Sequence, residues 1–98
     1  MSLQEWIKSP DATLVDVREA WELAGGQVEG AKNIPLGEIP NRIEEFREMS
    51  KPIILFCRSG NRSGMARAIL QAQGISDVYN GGSWEEVAQA LAEVISTK

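Results

Sequence analysis

Four large apolar residues, Ile53 to Phe56, follow one another without alternation and constrain the fold of this 98-residue sequence more than any other feature. A strand made from them is apolar on both faces. Such a strand lies in the middle of a sheet that other elements cover on both sides. The run therefore predicts a domain in which helices pack against both faces of a sheet.

Shorter strands and several helices are predicted on either side of this run. Apolar and β-branched residues indicate extended segments at residues 13–17, 31–35 and 77–79. Helical spacing, capping boxes and glycine stops indicate helices at about residues 2–8, 18–24, 41–49 and 63–73, and from residue 83 onward. Strands and helices that alternate in this way indicate one α/β domain over residues 1–98, with a mostly parallel sheet.

The sequence has one cysteine, Cys57, and no histidine. A lone cysteine excludes an internal disulfide and any metal site built from several cysteines. The absence of histidine excludes zinc sites that need imidazole, and it excludes Cys-His and Ser-His mechanisms, in which imidazole takes the proton. We expect neither a metal nor a cofactor, and Cys57 has to react without a histidine base.

Charge is distributed unevenly along the chain, which has a net charge of −4. Between Met49 and Ser76 there is no Asp or Glu, but the same segment contains the bases Lys51, Arg58, Arg62 and Arg67. Cys57 lies inside this basic segment, so a small anion is the expected ligand. The acidic balance of the whole chain argues against binding to nucleic acid.

No part of the sequence predicts an association with a membrane. The longest apolar run, residues 53–57, is too short to cross a bilayer, and no basic n-region with an apolar h-region opens the chain. We therefore expect a soluble, cytoplasmic protein. An export signal trimmed from a longer chain before Met1 is the alternative.

Cys57 follows the predicted buried strand directly and opens a loop of small and polar residues, 58–64. Ligands of parallel sheets bind at the carboxyl ends of the strands. Glycines and an asparagine allow a tight loop whose N–H groups point inward, and the helix start adds partial positive charge. Such surroundings lower a thiol pKa to roughly 3.5–7.5. The alternative is an inert core cysteine, but the position beside Arg58 and Arg62 makes burial a poor fit.

Three segments of the chain resemble the signature motifs of the rhodanese family of sulfurtransferases. The loop that starts at Cys57 is similar to the family's six-residue active-site loop, which begins with the catalytic cysteine. Residues 14–19 and 26–35 are similar to the first signature, and residues 80–84, NGGSW, are similar to the closing segment. The resemblance implies a rhodanese-like three-layer α/β fold. We expect about four strands, because the family's usual first strand has almost no room before the first helix.

The resemblance also implies a reaction and the residues that perform it. Cys57 is expected to take a sulfane sulfur from thiosulfate, a persulfide or a polysulfide and to pass it to cyanide or a thiol. A thioredoxin-like protein is a candidate acceptor. The small anionic donor is expected to bind to the loop, which consists of Arg58, Ser59, Gly60, Asn61, Arg62 and Ser63. Ser63 is expected to cap the next helix, and its hydroxyl is a candidate hydrogen-bond donor to the sulfur.

Two charged residues, Asp16 and Arg18, lie at the end of a predicted strand, where site residues cluster. We expect them to support the site through an ion pair that ties this strand to its neighbours. A third charged residue, Arg67, is expected to be a solvated surface charge one turn into the helix after the loop.

The three tryptophans and one position that differs from the family pattern also lead to expectations. Trp84 is expected to anchor the core, and Trp6 and Trp21 are expected to be partly buried. Gln27 stands where the family commonly has histidine. It keeps the capacity to form a hydrogen bond but not the chemistry of an imidazole.

Two functions besides sulfur transfer by a free-standing enzyme are left open. Some cell-cycle phosphatases share the rhodanese fold and use a Cys-x5-Arg loop, in which the arginine clamps the oxyanion. That arginine would be residue 63, which is serine here, so a phosphatase or arsenate reductase is the less favoured alternative. The other alternative is a persulfide carrier or interaction module that receives sulfur from a partner protein.

Overall fold

The computed structural model describes residues 2–96 and shows one parallel sheet with the strand order β2-β1-β3-β4. The strands are β1 (Thr13–Asp16), β2 (Lys32–Asn33), β3 (Ile53–Cys57) and β4 (Val78–Ser83). The α-helices are α1 (Leu3–Lys8), α2 (Ile43–Glu48), α3 (Asn61–Ala72) and α4 (Trp84–Ser96). Two 3-10 helices cover Ala20–Gly25 and Leu36–Asn41. The predicted α/β fold with a four-stranded parallel sheet is confirmed.

β3 lies between β1 and β4, which makes it an inner strand of the sheet. All five of its residues are buried. Their side chains alternate between the two faces, so that Ile53 and Leu55 join one apolar cluster and Ile54 and Phe56 join the other. This position explains why β3 carries no polar residue.

A hydrophobic core lies on each face of the sheet. One core contains Phe46 of α2 and Leu70 of α3. The other contains Ile7 of α1 and Val87 of α4. Burial of these side chains stabilises the domain by about 25 cal/mol per Å² of apolar surface removed from water. The two cores confirm the predicted three-layer arrangement.

The helices differ from the sequence prediction in three places, one of which is the 3-10 helix Leu36–Asn41, which was not predicted. The segment predicted as a helix at residues 18–24 forms a 3-10 helix, Ala20–Gly25, and α3 begins at Asn61 rather than at residue 63. The Ala20–Gly25 segment has apolar residues but buries none of them, and α3 begins with the polar residues Asn61, Arg62 and Ser63, so the apolar pattern did not mark either start. The longest helix, α4, has 13 residues, and within residues 2–96 no helix has the length and apolar character needed to span a membrane.

β4 extends to Ser83, past the predicted end at residue 79, and carries a bulge where it pairs with β3. Leu55 pairs with Asn80 and Phe56 pairs with Gly82, so Gly81 is the extra residue. A Cβ at Gly81 would lie 2.9 Å from Cγ2 of Ile54, closer than real Cβ atoms approach. Glycine is therefore required at the point where β4 bends beside the end of β3.

The three tryptophans differ in their exposure. Trp6 is half-buried, as predicted. Trp84, which was predicted to anchor the core, is also half-buried and packs against the core formed with α1 and α4. Trp21 is 77% exposed, so the prediction of partial burial is wrong for this residue. Trp21 lies on a 3-10 helix that has no buried residue, so its side chain stays largely open to solvent.

Candidate active site

Cys57 is the last residue of β3, and the chain turns sharply after it into α3. Gly60 makes this turn with a φ of 92°, in the left-handed region that favours glycine. The Gly60 N–H donates a hydrogen bond to the Cys57 Sγ at 3.0 Å. The N–H groups of Ser59 and Ser63 also favour the charged form of this sulfur and lower the pKa of its thiol. Residues 58–63, which we name the Cys57 loop, thus surround the sulfur with peptide donors.

Two opposing effects act on the pKa of the Cys57 thiol. Burial raises the pKa, because the thiolate loses its hydration. Hydrogen bonds from the Ser63 hydroxyl and from three N–H groups of the Cys57 loop lower it, and these bonds prevail, so that the pKa of Cys57 lies below its ordinary value. The sequence has no histidine, so peptide dipoles and a hydroxyl supply this stabilisation instead of imidazole.

Cys57 is buried, with 1% of its surface exposed, so the expectation that burial fits this position poorly is wrong. Its side chain points to the same face of the sheet as Ile53 and Leu55 and joins the apolar cluster there. The Cys57 loop folds back over the sulfur from the polar side. The sulfur therefore lies between apolar side chains and hydrogen-bond donors, and these donors distinguish it from an inert core cysteine.

Ser63 is fully buried and does not cap α3, contrary to the prediction, because the helix begins two residues before it. Its Oγ lies 3.5 Å from the Cys57 Sγ and donates a hydrogen bond of 2.7 Å to Oδ1 of Asn80. Asn80 in turn donates from Nδ2 to the Gly60 carbonyl at 3.0 Å. Sequence reasoning missed Asn80, and the available signal was its place at the start of the NGGSW segment.

Arg62 lies in the first turn of α3 and is paired with Glu22 of the first 3-10 helix. Two hydrogen bonds, of 2.6 and 2.9 Å, join the guanidinium to the carboxylate. The hydrogen bond from Arg62 is the main reason that the pKa of Glu22 falls to about 2. The charge of Arg62 is thus compensated, so this residue is not the free cation that the basic segment predicts. Sequence reasoning missed Glu22, because it lies 40 positions away in the chain.

Arg58 is exposed, and its side chain forms no ion pair or hydrogen bond within residues 2–96. It lines an open cleft of about 400 Å³ together with Trp21 and Trp84. Glu22 and Glu85 line the same cleft. Arg58 is therefore the cation of the Cys57 loop that is free to attract an anion.

The remaining predicted residues lie on the surface or pack elsewhere. Ser59 and Asn61 of the Cys57 loop are exposed. Gln27 is exposed as well, and its side chain has no hydrogen-bond partner in the described part of the chain. Arg67 is not a solvated charge, because α3 faces β4 at this point and its Nε donates to the Val78 carbonyl at 2.7 Å.

Asp16 and Arg18 form an ion pair whose two side chains are each only 3% exposed. The Arg18 guanidinium donates to both carboxylate oxygens at distances from 2.7 to 3.1 Å. It also donates to the Gly26 carbonyl at 2.9 Å and lies 5.1 Å from the centroid of the Trp84 ring. The predicted ion pair is confirmed, and it connects the end of β1 to the Gly26 turn and to the start of α4.

Comparison with known proteins agrees with this architecture. The family model for the rhodanese-like domain matches residues 2–90. The chain is 44% identical to the uncharacterized protein YqhL of Bacillus subtilis over 70% of this chain, which spans 54%, or about half, of that protein. It is 34% identical to the thiosulfate sulfurtransferase GlpE of Pseudomonas putida over 88% of this chain and 86% of that protein.

A solved structure shares the fold. The chain is 31% identical to a rhodanese-related protein of Thermoplasma volcanium, with a TM-score of 0.72 over 89% of this chain and 84% of that one. The family match covers all four strands, the Cys57 loop and most of α4. The chain therefore belongs to the family of rhodanese-like domains.

Proposed function

We propose that the chain is a sulfurtransferase in which Cys57 carries sulfur as a persulfide. The observation that carries this proposal is the set of hydrogen bonds at Sγ, with the Gly60 N–H at 3.0 Å and the Ser63 Oγ at 3.5 Å. These donors stabilise a thiolate, which is the nucleophilic form of cysteine. The similarity to GlpE, a protein named as a thiosulfate sulfurtransferase, supports the same chemistry.

The reaction needs two displacements at sulfur. The Cys57 thiolate attacks the outer sulfur of thiosulfate, the bond between the two thiosulfate sulfurs breaks, and sulfite leaves with its electron pair. Cys57 then carries an anionic persulfide. Cyanide or a thiolate, such as that of a thioredoxin-like protein, attacks the outer sulfur and leaves as thiocyanate or a new persulfide, and the Cys57 thiolate is restored. No proton is removed from the donor, so the reaction needs no histidine base.

Each part of the Cys57 loop has a role in this reaction. The inward N–H groups stabilise the thiolate and, after the first displacement, the negative charge of the persulfide. Arg58 attracts the anionic donor to the cleft, because it is exposed and has no partner within residues 2–96. The buried Asp16–Arg18 pair supports the adjacent turn rather than the sulfur itself.

Intact mass spectrometry tests the proposal. After incubation with thiosulfate, the purified protein is expected to gain one sulfur atom and to lose it on addition of cyanide, with release of thiocyanate. The Cys57→Ser variant is expected to show neither event while it keeps the circular dichroism spectrum and melting temperature of the parent. Transfer by this variant at a rate close to that of the parent would disprove the mechanism.

The burial of Cys57 favours a second candidate, a persulfide carrier that a partner protein loads. With 1% of Cys57 exposed, a donor has to pass the Cys57 loop, and a docked partner can hold that loop open. A carrier predicts that thiosulfate and small persulfides leave the mass unchanged, whereas a desulfurase partner adds one sulfur. The mass after each donor therefore separates the carrier from the free-standing enzyme.

Phosphoryl chemistry fits the site less well. Residue 63, where the phosphatases have arginine, is a buried serine that is bonded to Asn80. The neighbouring Arg62 is held by Glu22. Neither residue supplies a free clamp for a phosphoryl group, so we expect no hydrolysis of an aryl phosphate in an assay run beside the thiosulfate assay.

A further inference from the structure

A closed ring of hydrogen bonds connects the Cys57 sulfur to Asn80 of β4. One half of the ring runs from Sγ to the Gly60 N–H at 3.0 Å, and from the Gly60 carbonyl to Asn80 Nδ2 at 3.0 Å. The other half runs from Asn80 Oδ1 to the Ser63 Oγ at 2.7 Å, and from that oxygen back to Sγ at 3.5 Å. Asn80 thus binds two of the groups that contact the sulfur.

The orientation of the Asn80 carboxamide follows from its partners. Nδ2 faces the Gly60 carbonyl, which can only accept a hydrogen bond. Oδ1 faces the Gly82 N–H at 3.0 Å, which can only donate. A flipped carboxamide would lose both bonds and place like groups against each other, so only one orientation satisfies the site.

The position of Asn80 is also fixed by packing. The bulge at Gly81 directs Asn80 toward the Cys57 loop, since Leu55 pairs with Asn80 and the next strand residue pairs with Gly82. A Cβ at Gly64 would lie 3.3 Å from Asn80 Nδ2, and a Cβ at Gly60 would lie 3.4 Å from the Gly82 Cα. The loop and β4 therefore approach each other as closely as glycine allows, and the carboxamide fills the space between them.

The shared proton of Ser63 gives this ring a function in the reaction. The hydroxyl has one proton and two acceptors, Asn80 Oδ1 and the Cys57 sulfur. When the sulfur becomes a thiolate, the hydroxyl can rotate toward it, because the Gly82 N–H still satisfies Oδ1. The rotation therefore leaves no buried acceptor unpaired, which would otherwise be costly.

We propose that Asn80 is a positioning residue that holds the Gly60 peptide and the Ser63 hydroxyl in the places from which they stabilise the Cys57 sulfur. The benefit of this positioning to the reaction rests on the proposed sulfur transfer, but the positioning itself can be tested without a sulfur donor. Asn80 acts through its two neighbours and does not react itself. Together with the Gly64 N–H, which donates to the same carbonyl at 3.0 Å, Nδ2 holds the Gly60 carbonyl and so supports the left-handed turn that directs the Gly60 N–H to the sulfur.

The pH dependence of alkylation by iodoacetamide tests the proposal, because Cys57 is the only cysteine of the sequence. Asn80→Ala is expected to move the profile to higher pH and to slow alkylation at neutral pH roughly three- to tenfold, because the hydrogen bonds to the sulfur are weakened by misplacement of their donors but are not removed. An unchanged profile, or a shift to lower pH, overturns the proposal. The matched control is Asn41→Ala, which removes an exposed asparagine without a side-chain partner in the described chain.

Two further variants test how Asn80 acts. Ser63→Ala and Asn80→Ala are expected to give less than additive shifts in the double variant, because both act within one ring. Additive shifts contradict a shared network. Should Asn80→Ala fail to fold, Asn80→Leu keeps the approximate size and adds no charge near the sulfur, but it loses the bonds to the Gly60 carbonyl and to the Ser63 hydroxyl. Slower alkylation of that variant supports the proposal, and alkylation at the parent's rate overturns it.

The alkylation assay separates this inference from the proposed function. It uses no sulfur donor, so a shifted profile in Asn80→Ala supports the positioning role even if thiosulfate never loads Cys57. Conversely, a parent that transfers sulfur and an Asn80→Ala variant with the same profile and the same turnover number would keep the proposed function and overturn the positioning role.

Discussion

Glu22 and Arg62 form a two-point ion pair between the first 3-10 helix and the first turn of α3. The side chain of Glu22 is 11% exposed and that of Arg62 is 31% exposed, so the pair is partly shielded from water. It compensates one of the two arginines of the Cys57 loop and leaves Arg58 as the free one. This arrangement leads to separate predictions for the two arginines, although the sequence alone treats them alike.

Arg58→Ala is expected to raise the KM for thiosulfate roughly two- to fivefold with little change in kcat, the size typical of an exposed charge interaction. The reason is that Arg58 attracts the dianion to the cleft but does not contact the reacting sulfur. Steady-state kinetics at low and high salt measure the effect, which should shrink at high salt.

The matched control for Arg58→Ala is Arg47→Ala. Arg47 is exposed on α2, which precedes β3 in the chain, whereas Arg58 follows β3. Arg47 pairs with Glu44. Its removal is expected to leave the KM unchanged. Equal effects of the two variants, or an Arg58→Ala variant with the parent's KM at low salt, would show that Arg58 has no part in binding the donor.

Glu22→Gln is expected to lower the KM for thiosulfate. The substitution removes a negative charge that lines the cleft and releases Arg62 from its ion pair. Glu48→Gln is the control, because Glu48 is exposed and its side chain has no partner within residues 2–96. A higher KM in Glu22→Gln would mean instead that the pair positions Arg62 for the donor.

The same pair predicts how stability depends on acid. The pKa of Glu22 is about 2 in the folded chain and near the ordinary value of 4.5 when unfolded, so the folded state binds this proton less readily. The stabilisation is therefore present above about pH 4.5 and is lost as the pH falls toward 2. Urea unfolding across this range should show a smaller pH dependence in Glu22→Gln than in the parent, and identical curves would exclude a stabilising role for the pair.

Asp16→Ala is expected to destabilise the fold by about 3–5 kcal/mol, because it leaves the buried charge of Arg18 without its partner. The double variant Asp16→Ala/Arg18→Met should cost less than the sum of the two single changes, since no buried charge remains. Urea unfolding measures all three. Glu38→Ala, which breaks an exposed pair with Arg42, serves as control and should change stability much less. Additive costs for Asp16 and Arg18 would contradict the coupling.

Much of the fold could be predicted because local patterns and burial agree. The apolar run of β3 predicts an inner strand, since alternate residues from Ile53 onward enter one core or the other. Asp16 and Arg18 were predictable as a pair because they lie two positions apart at the end of one strand. The 3-10 helix Ala20–Gly25 was located less well, because its apolar residues are not buried and their pattern therefore marks no face of a core.

The contacts that tune the site are those that the sequence could not predict. Asn80 and Glu22 reach the Cys57 loop from 17 and 40 positions away, and no periodicity links them to it. The burial of Cys57 follows from how the loop folds back over the sulfur, which depends on the turn at Gly60 and the bulge at Gly81. Tertiary packing, rather than local propensity, decides these features.

The most direct test of the account is a titration of the Cys57 thiol in the unmodified protein. The absorbance of the thiolate or the rate of alkylation, followed across pH, gives the pKa of the only cysteine. The pKa is expected to lie below the ordinary value of 9.0, because hydrogen bonds from the Cys57 loop outweigh the effect of burial. A pKa at or above that value would contradict the claim that peptide dipoles keep this sulfur ready to accept another.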